Sequence, residues 1–332
     1  MATRRIAILG GGAMGTACAT VLAENDEVRP VLWVREPELA DAMQTSRRNE
    51  RYLPDVPIPD VVEITSDRAA AVADVAMLVA AVPSQFLSAT MKPFAELVSP
   101  ECPIVSVIKG IEIGTFRRPT EILLQVLGER PVASMCGPSH AEEVGLRLPA
   151  SVVVAASDDQ FAAQVQQDFT TDRFRVYTNP DLVGVEFAGA LKNVIAIAAG
   201  ISDGLGYGDN AKSALITRGL VEIGRFGQSL GADPETFAGL AGIGDLMTTC
   251  FSRHSRNRGF GERIGRGETL QQILDSTPKV AEGVPTTRSV HELAVSRGID
   301  LPITREIAAM LFEGKSPLEA TDALMNRPVG SE

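Results

Sequence analysis

Short apolar runs alternate with helical patterns through the first half of the chain. Candidate strands are Ile6–Leu9, Val31–Val34, Ala76–Val82, Ile104–Ile108, Val132–Cys136 and Ser151–Ala155. Runs with so few polar positions suit strands covered on both faces, which means a mostly parallel sheet flanked by helices. The proline-bearing segment 53–60, LPDVPIPD, reads as extended loop rather than helix. Helical patterns occupy Arg68–Asp74 and run from Pro93 to Val98. After Asn179-Pro180 the character changes to helix after helix. Gly231 can stop one helix, while Asp233-Pro234 and Ser316-Pro317 offer an N-cap and first position for others. The expected architecture is a doubly wound α/β domain over residues 1–180, then an all-helical domain over 181–332.

A glycine turn gives the first run a chemical meaning. Gly10, Gly12 and Gly15 form G-x-G-x-x-G directly after Ile6–Leu9, and Met14, Ala17, Cys18, Val21 and Leu22 then repeat at helical spacing. Strand, glycine turn and helix aim backbone N–H groups and a helix N-terminus at a pyrophosphate, the Rossmann-like arrangement. Gly10 permits the tight turn, Gly12 lets backbone approach phosphates, and Gly15 lets helix pack on strand. A bare glycine triplet also occurs in ordinary turns; here the flanking strand and helix favour a dinucleotide. Arg35 lies about 20 residues on, where an acid for an NAD ribose is usual. An arginine there can meet the 2′-phosphate of NADP, so the reading leans to NADPH, although Glu36 next door leaves the preference open.

Composition narrows the partners. The chain has 332 residues, 45% hydrophobic and 22% charged, with formal net charge −11. Such acidity argues against nucleic acid or an anionic membrane as a general partner. A phosphorylated ligand therefore needs a local basic cluster or helix N-termini. Cys18, Cys102, Cys136 and Cys250 show no C-x-x-C spacing and suit reduced thiols in a cytoplasm. The apolar stretch of MATRRIAILGGG is too short for a signal peptide, and no run approaches bilayer length; VAMLVAAV has the size of a buried strand.

Two lysines stand out. Lys192, in VGVEFAGALKNVIAIAAGI, falls in line with Ala188, Ile195 and Ala199 on a helix apolar on most sides. Charged lysine rarely enters such surroundings without a partner or a task, and desolvation makes it a better proton donor. Snorkelling to the surface or pairing with Glu186 explains the same pattern equally well. Lys109 closes the strand Ile104–Ile108, and ligands of open α/β sheets bind beyond the carboxyl ends of strands. An ordinary solvated strand-end lysine is the plainer reading.

Phosphate candidates lie in two places. In SRHSRNRGFGERIGRG, Arg253, Arg256, Arg258, Arg263 and Arg266 oppose only Glu262. Ser255 suits an N-cap, with Phe260 and Ile264 on the apolar side of the following helix. That helix start plus a bidentate Arg256 could hold a phosphate; a solvated arginine face is the alternative. In Gly137-Pro138-Ser139-His140-Ala141-Glu142, Ser139 and Glu142 match a capping box. His140 beside a cap reads as structural, and His254 and His291 have no metal-ligand spacing, so no metal site is expected.

Together GGGAMGTA, LWVRE, YLPDVPIP, VIKGIE, CGPSHAEE, FAGALKNVIAIAAGISDG, NAKSALITRG, GIGDLMTTC and SRNRGFG resemble NAD(P)-dependent glycerol-3-phosphate dehydrogenase, in that family's order. The resemblance implies reversible reduction of dihydroxyacetone phosphate to sn-glycerol 3-phosphate by NAD(P)H, supplying the glycerophospholipid backbone. It makes Lys192 the proton donor and acceptor, puts Lys109 on both cofactor and substrate, and counts Asp245 among the catalytic groups. Gly137, Ser139, Asp245, Ser255, Arg256 and Asn257 match substrate positions. Gly10, Gly12, Ala13, Met14, Gly15, Arg35, Ala141, Arg256, Val280 and Glu282 match cofactor positions. Met14 replaces a common aromatic ring, and Ile108 a common threonine. Asp245 also suits an N-cap for a helix at Leu246. Cleft closure between the domains is expected to complete the site, and a homodimer is expected from the apolar faces of a helical domain. The rivals are a two-domain dehydrogenase acting on a hydroxy acid or pantoate-like substrate, and a nicotinamide-sensing protein without turnover.

Overall fold

The structure, a computed structural model, describes residues 3–276 and 281–328. Its strands are β1 (Arg4–Leu9), β2 (Val28–Trp33), β3 (Arg48–Asn49), β4 (Leu53–Pro57), β5 (Glu63–Thr65), β6 (Val75–Ala80), β7 (Ile104–Ser106), β8 (Val132–Cys136), β9 (Ala150–Ala156) and β10 (Phe174–Asn179). The first seven α-helices are α1 (Ala13–Leu22), α2 (Pro37–Ser46), α3 (Arg68–Val72), α4 (Leu87–Met91), α5 (Pro119–Leu127), α6 (Ala141–Gly145) and α7 (Asp159–Phe169). There follow α8 (Leu182–Gly204), α9 (Asp209–Ser229), α10 (Asp245–Phe251), α11 (Arg256–Gly265), α12 (Leu270–Ser276), α13 (Gly283–Arg297), α14 (Pro302–Phe312) and α15 (Pro317–Met325). The doubly wound, mostly parallel sheet and the helical second half are both present.

Two compact units result. One comprises Met1–Lys109 and Arg117–Glu186, the other Gly110–Phe116 and Phe187–Glu332. In the first, the eight-stranded sheet runs β10-β9-β8-β7-β6-β1-β2-β5. Every neighbour pair is parallel except β8 with β9. The strand order reverses at β1, flanked by β2 and β6, so the crevice beyond its carboxyl end is the switch point where ligands bind. Alternation along β1 explains its apolar run. Ile6 and Ile8 enter a core with α1 and α7, whereas Ala7 and Leu9 enter another with α4 and α5.

Several elements differ from the sequence reading. Part of the proline-bearing segment is a strand, β4, paired antiparallel with β3; prolines at a two-stranded edge remove no ladder bond that the fold needs. The strands β5 and β10 went unseen, because β10, FRVYTN, alternates buried and exposed residues. The stretch after Pro93 is the end of a 3₁₀ turn, Lys92–Phe94, and Asp233-Pro234 opens a 3₁₀ turn, Pro234–Ala238, instead of an α-helix. The strand ending in Lys109 stops earlier, at Ser106. Finally, α8 is long and apolar enough to cross a membrane by length and composition, although its apolar window is 89% buried within the protein. Counting unbroken apolar runs missed it because Glu186 and Lys192 interrupt the run.

In the second unit the short segment Gly110–Phe116 is tied to α13, whose Ser289 Oγ donates to Ile111 O at 3.1 Å. The start signal at Ser316-Pro317 holds as a capping box on α15, and Gly231, just past α9, has φ +90°.

Candidate active site

In the first unit the glycine turn caps β1. Gly10 has φ +134°, and a Cβ there would sit 2.5 Å from Ala81 O. On Gly15 a Cβ would lie 1.9 Å from Gly10 O, so α1 can reach the turn only without a side chain. Above Gly12 a Cβ would meet nothing within 4 Å. Gly12 is also the N-cap of α1, whose first residues are Ala13 and Met14. An open backbone approach at the start of a ten-residue helix fits a dinucleotide pyrophosphate. Arg35 lies beyond β2 with its side chain 68% exposed and bonded to Glu36 at 2.5 Å.

Lys109 and the strand-to-helix turn after β8 meet on one carbonyl. Lys109 Nζ donates to Gly137 O at 3.0 Å, and Ser139 Oγ donates to the same oxygen at 2.9 Å. Gly137 has φ +144°, and a Cβ there would lie 2.8 Å from Val152 Cα. Three predicted substrate contacts are thus joined. The capping box is not formed: the N-cap of α6 is His140, one residue past Ser139, and the Ser139 hydroxyl donates to Gly137 O instead. Ala141 opens α6 and is buried.

In the second unit Lys192 is only 5% exposed. Its Nζ donates to Asp245 Oδ1 at 2.8 Å and to Thr249 Oγ1 at 2.6 Å. The Thr249 hydroxyl in turn donates to Asp245 Oδ1 at 3.2 Å. Lys192, Asp245 and Thr249 thus form a closed hydrogen-bonded cluster. Glu186 is not the partner. It accepts from Arg118 Nη1, Thr120 N and Thr120 Oγ1, all within the first unit. Burial pushes the Glu186 carboxyl up, and Arg118 pulls it back. Nor is Asp245 a cap, since α10 begins at Asp245 itself after Gly244. Cys250, beside this cluster, is pushed up to about 12 by burial, so it stays a thiol.

The start of α11 carries the remaining polar groups. Ser255 caps it, its Oγ accepting from Arg258 N. Asn257 Nδ2 donates to Asn193 Oδ1 at 2.9 Å, and Asn257 Oδ1 accepts from Gly283 N at 2.8 Å. Glu282 caps α13 next to that bond. Arg256 at the first helical position is exposed. The five arginines are less of an anion site than their count suggests. Arg258 grips Asp203, Arg263 pairs with Glu268, and Arg266 pairs with Glu262. Arg256 and Arg253 remain, both exposed. Val280 lies outside the described residues.

Sequence reasoning missed Thr249, Asn193 and Asp203. Thr249 stands one turn after Asp245, on the same face. Asp203 stands three turns after Lys192 on α8 and accepts from both Lys212 and Arg258.

The profile described as the NAD-dependent glycerol-3-phosphate dehydrogenase N-terminus matches residues 5–162, and the corresponding C-terminus matches 181–322. The chain is 49% identical over 327 residues to a glycerol-3-phosphate dehydrogenase [NAD(P)+] of Chlorobium phaeobacteroides, covering 97% of each. It is 49% identical over 326 residues to the enzyme of that name from Geobacillus kaustophilus, covering 97% of this chain and 94% of that one. Among solved structures, the glycerol-3-phosphate dehydrogenase of Coxiella burnetii is similar with TM-score 0.94 and 39% identity, over 98% and 99% of the two chains.

Proposed function

The chain belongs to the NAD-dependent glycerol-3-phosphate dehydrogenase family, and from that premise we propose that it reversibly reduces dihydroxyacetone phosphate to sn-glycerol 3-phosphate with NAD(P)H. The reading rests above all on the buried Lys192, held by Asp245 and Thr249. When bound, the cofactor supplies the hydride that the ketone carbon takes up. Lys192 gives its proton to the developing alkoxide, and Asp245 with Thr249 fixes the direction of that ammonium. Lys109, bonded to Gly137 O, adds positive charge for the same oxygen. Arg256 and the first-turn N–H groups of α11 hold the substrate phosphate, remote from the reacting carbon, so that phosphate binding serves orientation.

The glycine turn of the N-terminal domain, residues 1–180, holds the dinucleotide, while the helical domain, 181–332, supplies the proton donor. NADPH is the preferred cofactor in this reading. The exposed Arg35–Glu36 pair is worth little in water, so the guanidinium can turn to a 2′-phosphate at small cost. Four buried free thiols suit a reducing cytoplasm.

Side-by-side spectrophotometric oxidation of NADH and NADPH tests both statements. Turnover with dihydroxyacetone phosphate, and little with a pantoate-like keto acid, is expected, with the higher kcat/KM for NADPH. Absence of turnover on any phosphorylated ketone would remove the assignment; a higher value for NADH would remove only the cofactor preference.

A further inference from the structure

Gly11 and Gly12 stand side by side at the tip of the turn. A peptide between two glycines can flip over at little steric cost, because both flanking residues tolerate positive and negative φ. The flip matters here. In one orientation the Gly12 N–H points toward an approaching anion; in the other, the Gly11 carbonyl does.

Asn49 holds that peptide. Its side chain is fully buried. Asn49 Nδ2 donates to Gly11 O at 3.0 Å and to Thr16 Oγ1 at 2.8 Å. Thr16 Oγ1 donates onward to Gly12 O at 2.9 Å. Both carbonyls at the tip are therefore drawn to donors inside the protein. In a planar trans peptide the C=O and the following N–H point in opposite directions, and the chain has no cis bond among its described residues. Fixing Gly11 O on Asn49 thus turns the Gly12 N–H the other way. Asn49 is itself steadied by its hairpin, since its Oδ1 accepts from Tyr52 N at 3.2 Å.

We propose that Asn49 is a positioning residue for the cofactor, locking the Gly11–Gly12 peptide so that its N–H, not its carbonyl, meets the pyrophosphate. The inference rests on the dehydrogenase reading and assigns the β3–β4 hairpin a role in that site. Asn49 acts through the turn and touches neither reacting atom.

Titration of protein fluorescence with NADH gives the readout, on wild type, N49A, N49D and Thr16→Val. N49D keeps the acceptor for Tyr52 but has no donor, so it separates the peptide lock from support of the hairpin. N49A and N49D are both expected to raise the NADH Kd about tenfold or more, the loss of two buried hydrogen bonds. Thr16→Val removes one relay and is expected to give a smaller rise. KM for dihydroxyacetone phosphate at saturating cofactor should change less than about twofold, since uniform weakening is not what a cofactor lock predicts. An unchanged Kd in N49D overturns the proposal, as does an equal rise in both constants. Should N49A fail to fold, N49D and Thr16→Val decide alone. If wild type binds neither NADH nor NADPH, the dehydrogenase reading has failed instead.

Discussion

At the scale of single residues, the Lys192–Asp245–Thr249 cluster must be paired because it is buried. Asp245 and Thr249 are each 2% exposed, so removing the lysine takes an ion-pair partner from a buried carboxylate. Breaking a buried pair from one side costs about 3–5 kcal/mol. Lys192→Met is therefore expected to lose stability of that order in urea and to lose kcat by about 10²–10⁴, the usual share of a general acid. Adding Asp245→Asn should restore most of the stability and none of the activity. Recovery of turnover in the double variant would show that the proton comes from elsewhere. The lysine was legible because a cation amid so many apolar positions is conspicuous. Its partner among the acids was not, because Glu186 on the same helix is the nearer candidate in sequence. Only the tertiary fold gives Glu186 to Arg118 and Asp245 to Lys192. Counting arginines failed for the same reason, since the acids that neutralise Arg258 and Arg263 lie elsewhere in the chain or just past the segment.

At the scale of elements, what carries α11 is a glycine seam. On α8, a Cβ at Gly200 would lie 2.0 Å from Arg258 O and one at Gly204 2.4 Å from Glu262 O. On α11, a Cβ at Gly261 would lie 2.0 Å from Ile197 O and one at Gly265 2.5 Å from Ile201 O. The two helices touch backbone to backbone, and Arg258 adds a clamp on Asp203 at 2.6 Å. Asn193 on α8 is thereby set against Asn257 at the head of α11. Gly261→Ala must push the helices apart; overpacking of this kind costs about 1–3 kcal/mol or more. A higher KM for dihydroxyacetone phosphate is expected with it. Gly259→Ala is the matched control on the same helix, because a Cβ there meets nothing within 4 Å; it should be neutral or stabilise by about 0.5–1 kcal/mol. Equal effects of the two substitutions in thermal melts would remove the seam from the account. The strands of the sheet's middle could be read from the sequence because burial on both faces makes them continuously apolar. The edge strands β5 and β10 could not, since a short or half-exposed strand leaves a mixed pattern. The seam was equally hidden, because glycine spacing alone does not say which helix lies opposite.

At the scale of the molecule, an acidic protein has to collect two anions. The formal net charge is −11, while the proposed substrate and cofactor both carry phosphate. Two fields compete. The acidic surface repels at long range, whereas the proposed phosphate contacts, Lys109 and the start of α1 on one unit and Arg256 and the start of α11 on the other, would attract only at short range. Salt separates them by range, because the Debye length falls from about 30 Å at 0.01 M to about 10 Å at 0.1 M. Charges spread over the surface are screened across that interval, whereas contacts inside the site are screened far less. The expectation is that kcat/KM for dihydroxyacetone phosphate rises, by up to a few fold, as ionic strength goes from 0.01 to 0.1 M. An uncharged triose should show no such rise. A steady fall from the lowest salt would mean that a local cationic field governs approach as well as binding. The free arginines near α11 would then count for more than the net charge allows. Because three of its five arginines are already paired with acids, that segment has too little unpaired charge to reverse the long-range repulsion, and the rise should survive replacement of Arg253 by alanine.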